Sequence, residues 1–126
     1  MKKILTLTAL LLITSLMITA CGSAPIYNVK KSTIENPKSS KKVYRAIKEA
    51  GQSLGWKIRK TAPGVAQGKI LLRTHIAVVR INYNRSSYSI HYVKSENLKY
   101  NAEKKTIHKN YNGWIENLEK AIDIRL

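Results

Sequence analysis

The chain has 126 residues, with 23 lysines and arginines against 7 acidic residues, for a formal net charge of +16. That length suits one domain of ordinary size. A single cysteine excludes a disulfide framework, and seven scattered carboxylates leave little material for paired-acid catalysis. The positive excess favours anionic partners: lipid headgroups, cell-wall polymers, acidic proteins or nucleic acid.

The amino terminus reads Met1-Lys2-Lys3, then an uncharged run over residues 4–18, then Thr19-Ala20-Cys21. A short positive stretch, an apolar run and small residues before a cut site make a secretory signal. A membrane span needs roughly 20 apolar residues, so this run is too short to be a stable one. Ile18-Thr19-Ala20-Cys21 resembles the lipobox of bacterial lipoproteins, an aliphatic residue and two small ones before cysteine. The resemblance implies diacylglyceryl transfer to the Cys21 thiol, cleavage between Ala20 and Cys21, and palmitate-type acylation of the new amino group. An ordinary secretory signal is the alternative, but it leaves the only thiol without a disulfide partner in an oxidising compartment. Lipidation uses that thiol up. In didermic bacteria an Asp directly after the cysteine commonly retains a lipoprotein in the inner membrane. Gly22 therefore implies the outer membrane and its periplasmic face, with the inner membrane left open.

Residues 21–38 hold Gly, Ser, two Pro and several Lys with no sustained period, and read as the lipidated terminus and a flexible tether. Such a tether of roughly 17 residues reaches about 20–25 Å. Residues 39–126 remain as a single α+β domain.

Within that domain, Ser39-Ser40 caps a helix whose apolar positions are Val43, Ala46, Ile47, Ala50 and Leu54, with Gly55 closing it. Lys42, Arg45 and Lys48 fall on its other face and are candidate contacts for an anionic partner. From Trp56 the period becomes two, and Pro63-Gly64 makes a turn. The stretch over residues 68–83 exceeds a usual strand and is broken at Arg73-Thr74. Asn84-Arg85-Ser86-Ser87 reads as a hairpin loop. If Tyr83 opposes Tyr88, then Ile81 faces Ile90, Val79 faces Tyr92, and a single apolar face results. A second helix is expected from about Thr106, with Ile107, Tyr111, Trp114, Ile115, Leu118, Ala121 and Ile122 as its stripe. The expected architecture is a two-layer α+β sandwich: helix, four-stranded antiparallel meander, helix.

The opposite sheet face carries Leu71, Ile76, Val78 and Val93 beside Arg80 and His91, a half-apolar, half-basic candidate partner surface. Solvent and loops covering that face is the plainer alternative. Ser95, Asn97, His108 and Asn112 read as a structural clasp between the last strand and the last helix. His75, His91 and His108 lack mutual ligand spacing and flanking carboxylates, so no metal site is expected. Neither a catalytic group nor a cofactor is indicated.

Two sets of residues occur together: Arg73-x-His75-x-Ala77-x-Val79 with Tyr88-Ser89-Ile90-x-Tyr92, and Ser95-x-Asn97-Leu98-x-Tyr100 with Ile107-His108-x-x-Tyr111-Asn112-x-Trp114-Ile115-x-x-Leu118. The pattern resembles a group of small proteobacterial lipoproteins of uncharacterised role, over residues 68–122. The resemblance implies a location and a shared fold, without an activity. The expectation is a membrane-anchored, non-enzymatic module that docks a protein partner in the cell envelope. The alternative is a binder of anionic envelope polymer or lipid headgroups through the basic surface. Export sets nucleic acid aside.

Overall fold

Ser39 starts the first helix. Its backbone is extended and its side chain accepts the Lys42 amide at 3.2 Å, satisfying one donor of the open turn of α1 (Ser40–Ser53). Val43, Ile47 and Ala50 are wholly buried along one side. The helix ends at Leu54, and Gly55 takes a φ of 88° that a side chain would resist. The computed structural model describes residues 22–126. The signal-like run, the expected cleavage position at Ala20 and the expected acylation position at Cys21 lie outside the described residues.

Four strands follow as a meander: β3 (Trp56–Ala62), β4 (Val65–Leu72), β5 (His75–Tyr83) and β6 (Ser87–Glu96). The break at Arg73-Thr74 is a two-residue turn between paired Leu72 and His75, with Arg73 at φ 57°. Between β5 and β6 the partners are Tyr83 and Tyr88, Ile81 and Ile90, Val79 and Tyr92, Arg80 and His91, the register that the apolar pattern predicts. Asn84 fixes the intervening loop, its Oδ1 accepting the Ser86 and Ser87 amides at 2.9 Å each. The pairing then shifts: Val78 opposes Lys94 rather than Val93, so Val93 is the extra residue of a bulge.

Two expectations are corrected here. The sheet has five strands, in the order β2-β6-β5-β4-β3, because β2 (Val29–Thr33) adds to the free edge of β6. Also, residues 23–33 are no tether. β1 (Ser23–Pro25) pairs with β7 (Thr106–His108) in a separate two-stranded sheet. The link between β1 and β2 is stitched down by side chains. Asn112 accepts the Tyr27 amide at 2.9 Å and donates to the Pro25 carbonyl at 2.8 Å, and Tyr27 Oη donates to Glu119 at 2.8 Å. Asn28 Oδ1 accepts the Tyr92 amide at 2.9 Å. The physical reason is that an open edge of β6 would leave backbone donors and acceptors unpaired, and β2 satisfies them.

The second helix, α2 (Lys109–Ile124), starts later than expected, since residues 106–108 are strand. Ile107 is therefore a strand residue of the core rather than a helical one. Both helices lie on one face of the five-stranded sheet. Val43, Ile47, Ile115, Leu118 and Ile122 meet Trp56, Ile70, Val79, Ile81 and Ile90 in one cluster. The fold is α+β in two layers, with β1 and β7 set beside it. Tyr111 is fully buried in that cluster, its ring edge-on to Tyr92 and its hydroxyl without a partner among the described residues. Burial pushes its pKa well above the ordinary phenol range, so the hydroxyl is a weaker acid there.

Candidate functional site

Because both helices cover one side, the other side of the sheet is bare, and strand alternation decides what it shows. The register gives its cross-strand rows. Leu71, Ile76 and Glu96 form one; Lys57, Lys69, Val78 and Lys94 the next; Arg59, Gln67, Arg80 and His91 the third; Val65, Asn82 and Ser89 the fourth. Three of the four side chains in the second row are lysines. Glu96 is the only carboxylate in the four rows.

The predicted partner surface is therefore brought together, with two adjustments. Leu71 is 64% exposed and Arg80 is exposed, while Ile76 and His91 are half-buried on the same face. Val78 stands on that face but is only 4% exposed, between the long side chains of Lys69 and Lys94. Lysine stems cover apolar neighbours while their ammonium groups stay in water, so Val78 supports the surface without forming it. A shallow hollow of about 130 Å³ beside it is lined by Lys69, Ile76, Val78, Lys94, Ser95 and Glu96. Val93 is exposed at the bulge and outside the regular rows.

The basic helix residues are placed elsewhere. Lys42, Arg45 and Lys48 are exposed on α1, in the layer that packs on the opposite side of the sheet. They do not share a surface with Arg80 and His91, so the positive charge forms two separate faces. The residues that periodicity alone left unassigned are Lys57, Lys69 and Lys94. Their alternation with Trp56, Ile58 and Ile70 is readable, but their alignment in one row requires the pairing of four strands.

The four clasp residues do not make one clasp. Ser95 shares a hydrogen bond with the Tyr92 hydroxyl at 2.8 Å. Asn97, at φ 57°, donates to the Thr74 carbonyl at 2.8 Å, and its own carbonyl lies 2.7 Å from His75 Nδ1. Together these tie the end of β6 to the β4–β5 turn. His108 caps α2 by accepting the Asn110 amide at 3.1 Å on Nδ1, while its own amide donates to the Leu98 carbonyl at 2.7 Å. Asn112 holds the amino-terminal segment, as described above. The far end of α2 is tied differently: Tyr88 donates to the Asp123 carboxylate, and burial together with that bond pushes the Tyr88 phenol strongly upward.

Among the described residues no group of three or more His, Cys, Asp or Glu side chains converges at metal-binding distance. No helix of the described residues is long and apolar enough to cross a membrane. What the geometry defines is a two-layer α+β domain with one helix-covered sheet face and one open, basic and partly apolar face. No family model, curated protein or solved structure matches the chain.

Proposed function

We propose that the protein is a lipid-anchored, non-enzymatic module of the cell envelope. Cys21 carries the acyl chains after cleavage behind Ala20, at the periplasmic face of the outer membrane, and the bare sheet face docks a protein partner. The observation that carries the docking reading is the composition of that face. Leu71 is 64% exposed beside Ile76, and lysines of three strands stand in one row. Apolar area removed from water contributes roughly 25 cal/mol per Å², and lysines held side by side repel until acidic groups arrive. A partner with an apolar ridge flanked by carboxylates matches both features. The second reading, an anionic envelope polymer or lipid headgroup on the basic surface, is favoured by the row Lys57, Lys69 and Lys94 taken alone.

A photo-reactive residue placed at Leu71, and separately at Lys42, tests the choice in intact cells. The docking reading expects one discrete protein adduct from position 71 and none from position 42. It also expects the complex to survive moderate salt, since its apolar part is not screened. Polymer-sized smears from both positions, lost at moderate salt, overturn protein docking in favour of the second reading.

A further inference from the structure

We propose that one end of the domain rests directly against the anionic surface of the bilayer, so that the protein stands on its membrane in a fixed orientation. The inference rests on the reading that Cys21 is acylated. The carbonyl of Gly22 accepts the Lys109 amide at 2.8 Å, and Ser23 is already paired with His108. The peptide bond to Cys21 puts its Cα about 3.8 Å from that of Gly22. Acyl chains on Cys21 enter the hydrocarbon, and the headgroup layer of one leaflet is only roughly 5–8 Å thick. With no slack between anchor and fold, the end of the domain around Gly22 is held against headgroups.

Which end this is follows from a chain of contacts. His108 bonds to Leu98, Asn97 bonds to Thr74, and the rings of His75 and Trp114 lie 6.5 Å apart. The start of α2, the end of β6 and the β4–β5 turn are therefore neighbours at one pole. Leu54, at the end of α1, lies two residues before the Trp56–Ile70 pair and so reaches the same level as Leu72. Leu54 is 38% and Leu72 47% exposed, two large apolar side chains that each keep over a third of their surface in water. Around them are exposed Arg73, Lys99 and Lys109 and half-buried Trp114. Arg73 and Lys99 sit at φ 57° and 54°, where glycine or asparagine is the easier residue, so the pole keeps its cations at a backbone cost. Glu96, the nearest acid in sequence to this cluster's β6 end, belongs to the bare face. Leucines and a tryptophan suit the headgroup boundary, and the cations match anionic lipid within a Debye length. In this orientation the strands run away from the membrane and the bare sheet face stays open to the periplasm.

The test uses the mature lipidated protein in vesicles of phosphatidylcholine and phosphatidylglycerol that carry a nitroxide on a fraction of headgroups. Tryptophan quenching is compared among wild type, the triple variant Arg73→Glu, Lys99→Glu, Lys109→Glu, and the charge-matched control Lys42→Glu, Arg45→Glu, Lys48→Glu. Wild type and control are expected to be quenched alike, and the pole variant at least two-fold less. Mass spectrometry of each sample reports acylation. Equal quenching of all three acylated proteins, or none in any, overturns the orientation alone. Absence of acyl chains from wild type overturns the anchor reading, and the orientation with it.

Discussion

Lys57 on β3 stands directly opposite Lys69 on β4, and both are exposed on the bare face of the sheet. Directly opposed side chains have Cβ atoms roughly 4.5–5.5 Å apart, and like charges there are destabilising. The free protein thus carries a repulsion that its fold does not require. Replacing Lys57 by Glu converts it to an attraction, and Lys57→Glu is expected to stabilise the domain by roughly 0.5–1 kcal/mol in denaturant melts. The same variant should lose adduct from a photo-reactive residue at position 71. A gain in stability with undiminished crosslinking separates this row from the proposed docking surface.

Two glycines on helices predict opposite signs. A Cβ built on Gly113 meets nothing within 4 Å, so Gly113→Ala should raise stability by about 1 kcal/mol through helix propensity. A Cβ on Gly51 meets Ile58 Cγ1 at 2.5 Å and Trp56 Cβ at 3.3 Å, where α1 crosses β3. Gly51→Ala should cost about 1–3 kcal/mol by overpacking. Thermal melts of the two alanine variants check the pair, and a stabilised Gly51→Ala protein refutes the close approach.

The hydrogen bonds of Asn112 predict local release without global unfolding. Asn112→Ala removes both bonds to the Pro25–Tyr27 segment, at a cost of about 1–3 kcal/mol. Hydrogen exchange should accelerate in residues 23–33 while amides of β4 and β5 keep their protection. Uniform acceleration across the sheet is the contrary result.

Alkaline pH acts through Tyr88. Burial and its bond to Asp123 raise the folded-state phenol above the ordinary value near 10. A raised pKa means that the folded state keeps its proton where the unfolded chain has lost it. The contribution is complete below about pH 10 and declines as pH climbs further, toward the raised folded value. Stability should therefore fall above about pH 10, and less steeply in Tyr88→Phe, measured by melts along a pH series. Identical slopes for both proteins place the alkaline sensitivity elsewhere.

Cys21→Ala should abolish incorporation of labelled fatty acid and leave the precursor at its full 126 residues. A variant processed like wild type removes the lipobox reading.

Local patterns made half of this molecule legible. The period of two fixes the faces of β3–β6, and the tyrosine pair flanking Asn84-Arg85-Ser86-Ser87 fixes their register, because both signals lie within adjacent strands. The limits of α1 follow from Ser39 and Gly55 in the same way. The edge strand β2 escaped because Val29-Lys30-Lys31-Ser32-Thr33 has one apolar anchor and a break in register between Val29 and Ser32. Its pairing is specified by partners more than fifty residues away, such as Asn28 with Tyr92. The start of α2 moved for a similar reason. Ile107 fits a helical stripe by spacing, yet a strand from the other end of the chain, with Ala24 opposite Ile107, claims its backbone. The candidate surface was visible as a face, whereas the lysine row and the burial of Val78 depend on alignment across four strands.

The stitching of residues 25–33 to residues 86–119 also sets the order in which this domain can be completed. Whatever leaves a ribosome or a translocation pore amino terminus first must wait here for its partners, which come last. Loop closure over so long a separation is entropically late, and contacts of high sequence separation slow folding. The meander of β3–β6 is expected to collapse early, with β1 and β2 docking only after α2 is present. Until then residues 23–33 have no partners to pair with, and once α2 has formed they are held by Asn112 and Glu119. On the proposed lipid anchor, acylation of Cys21 and completion of the fold are thus separated in time by the topology alone.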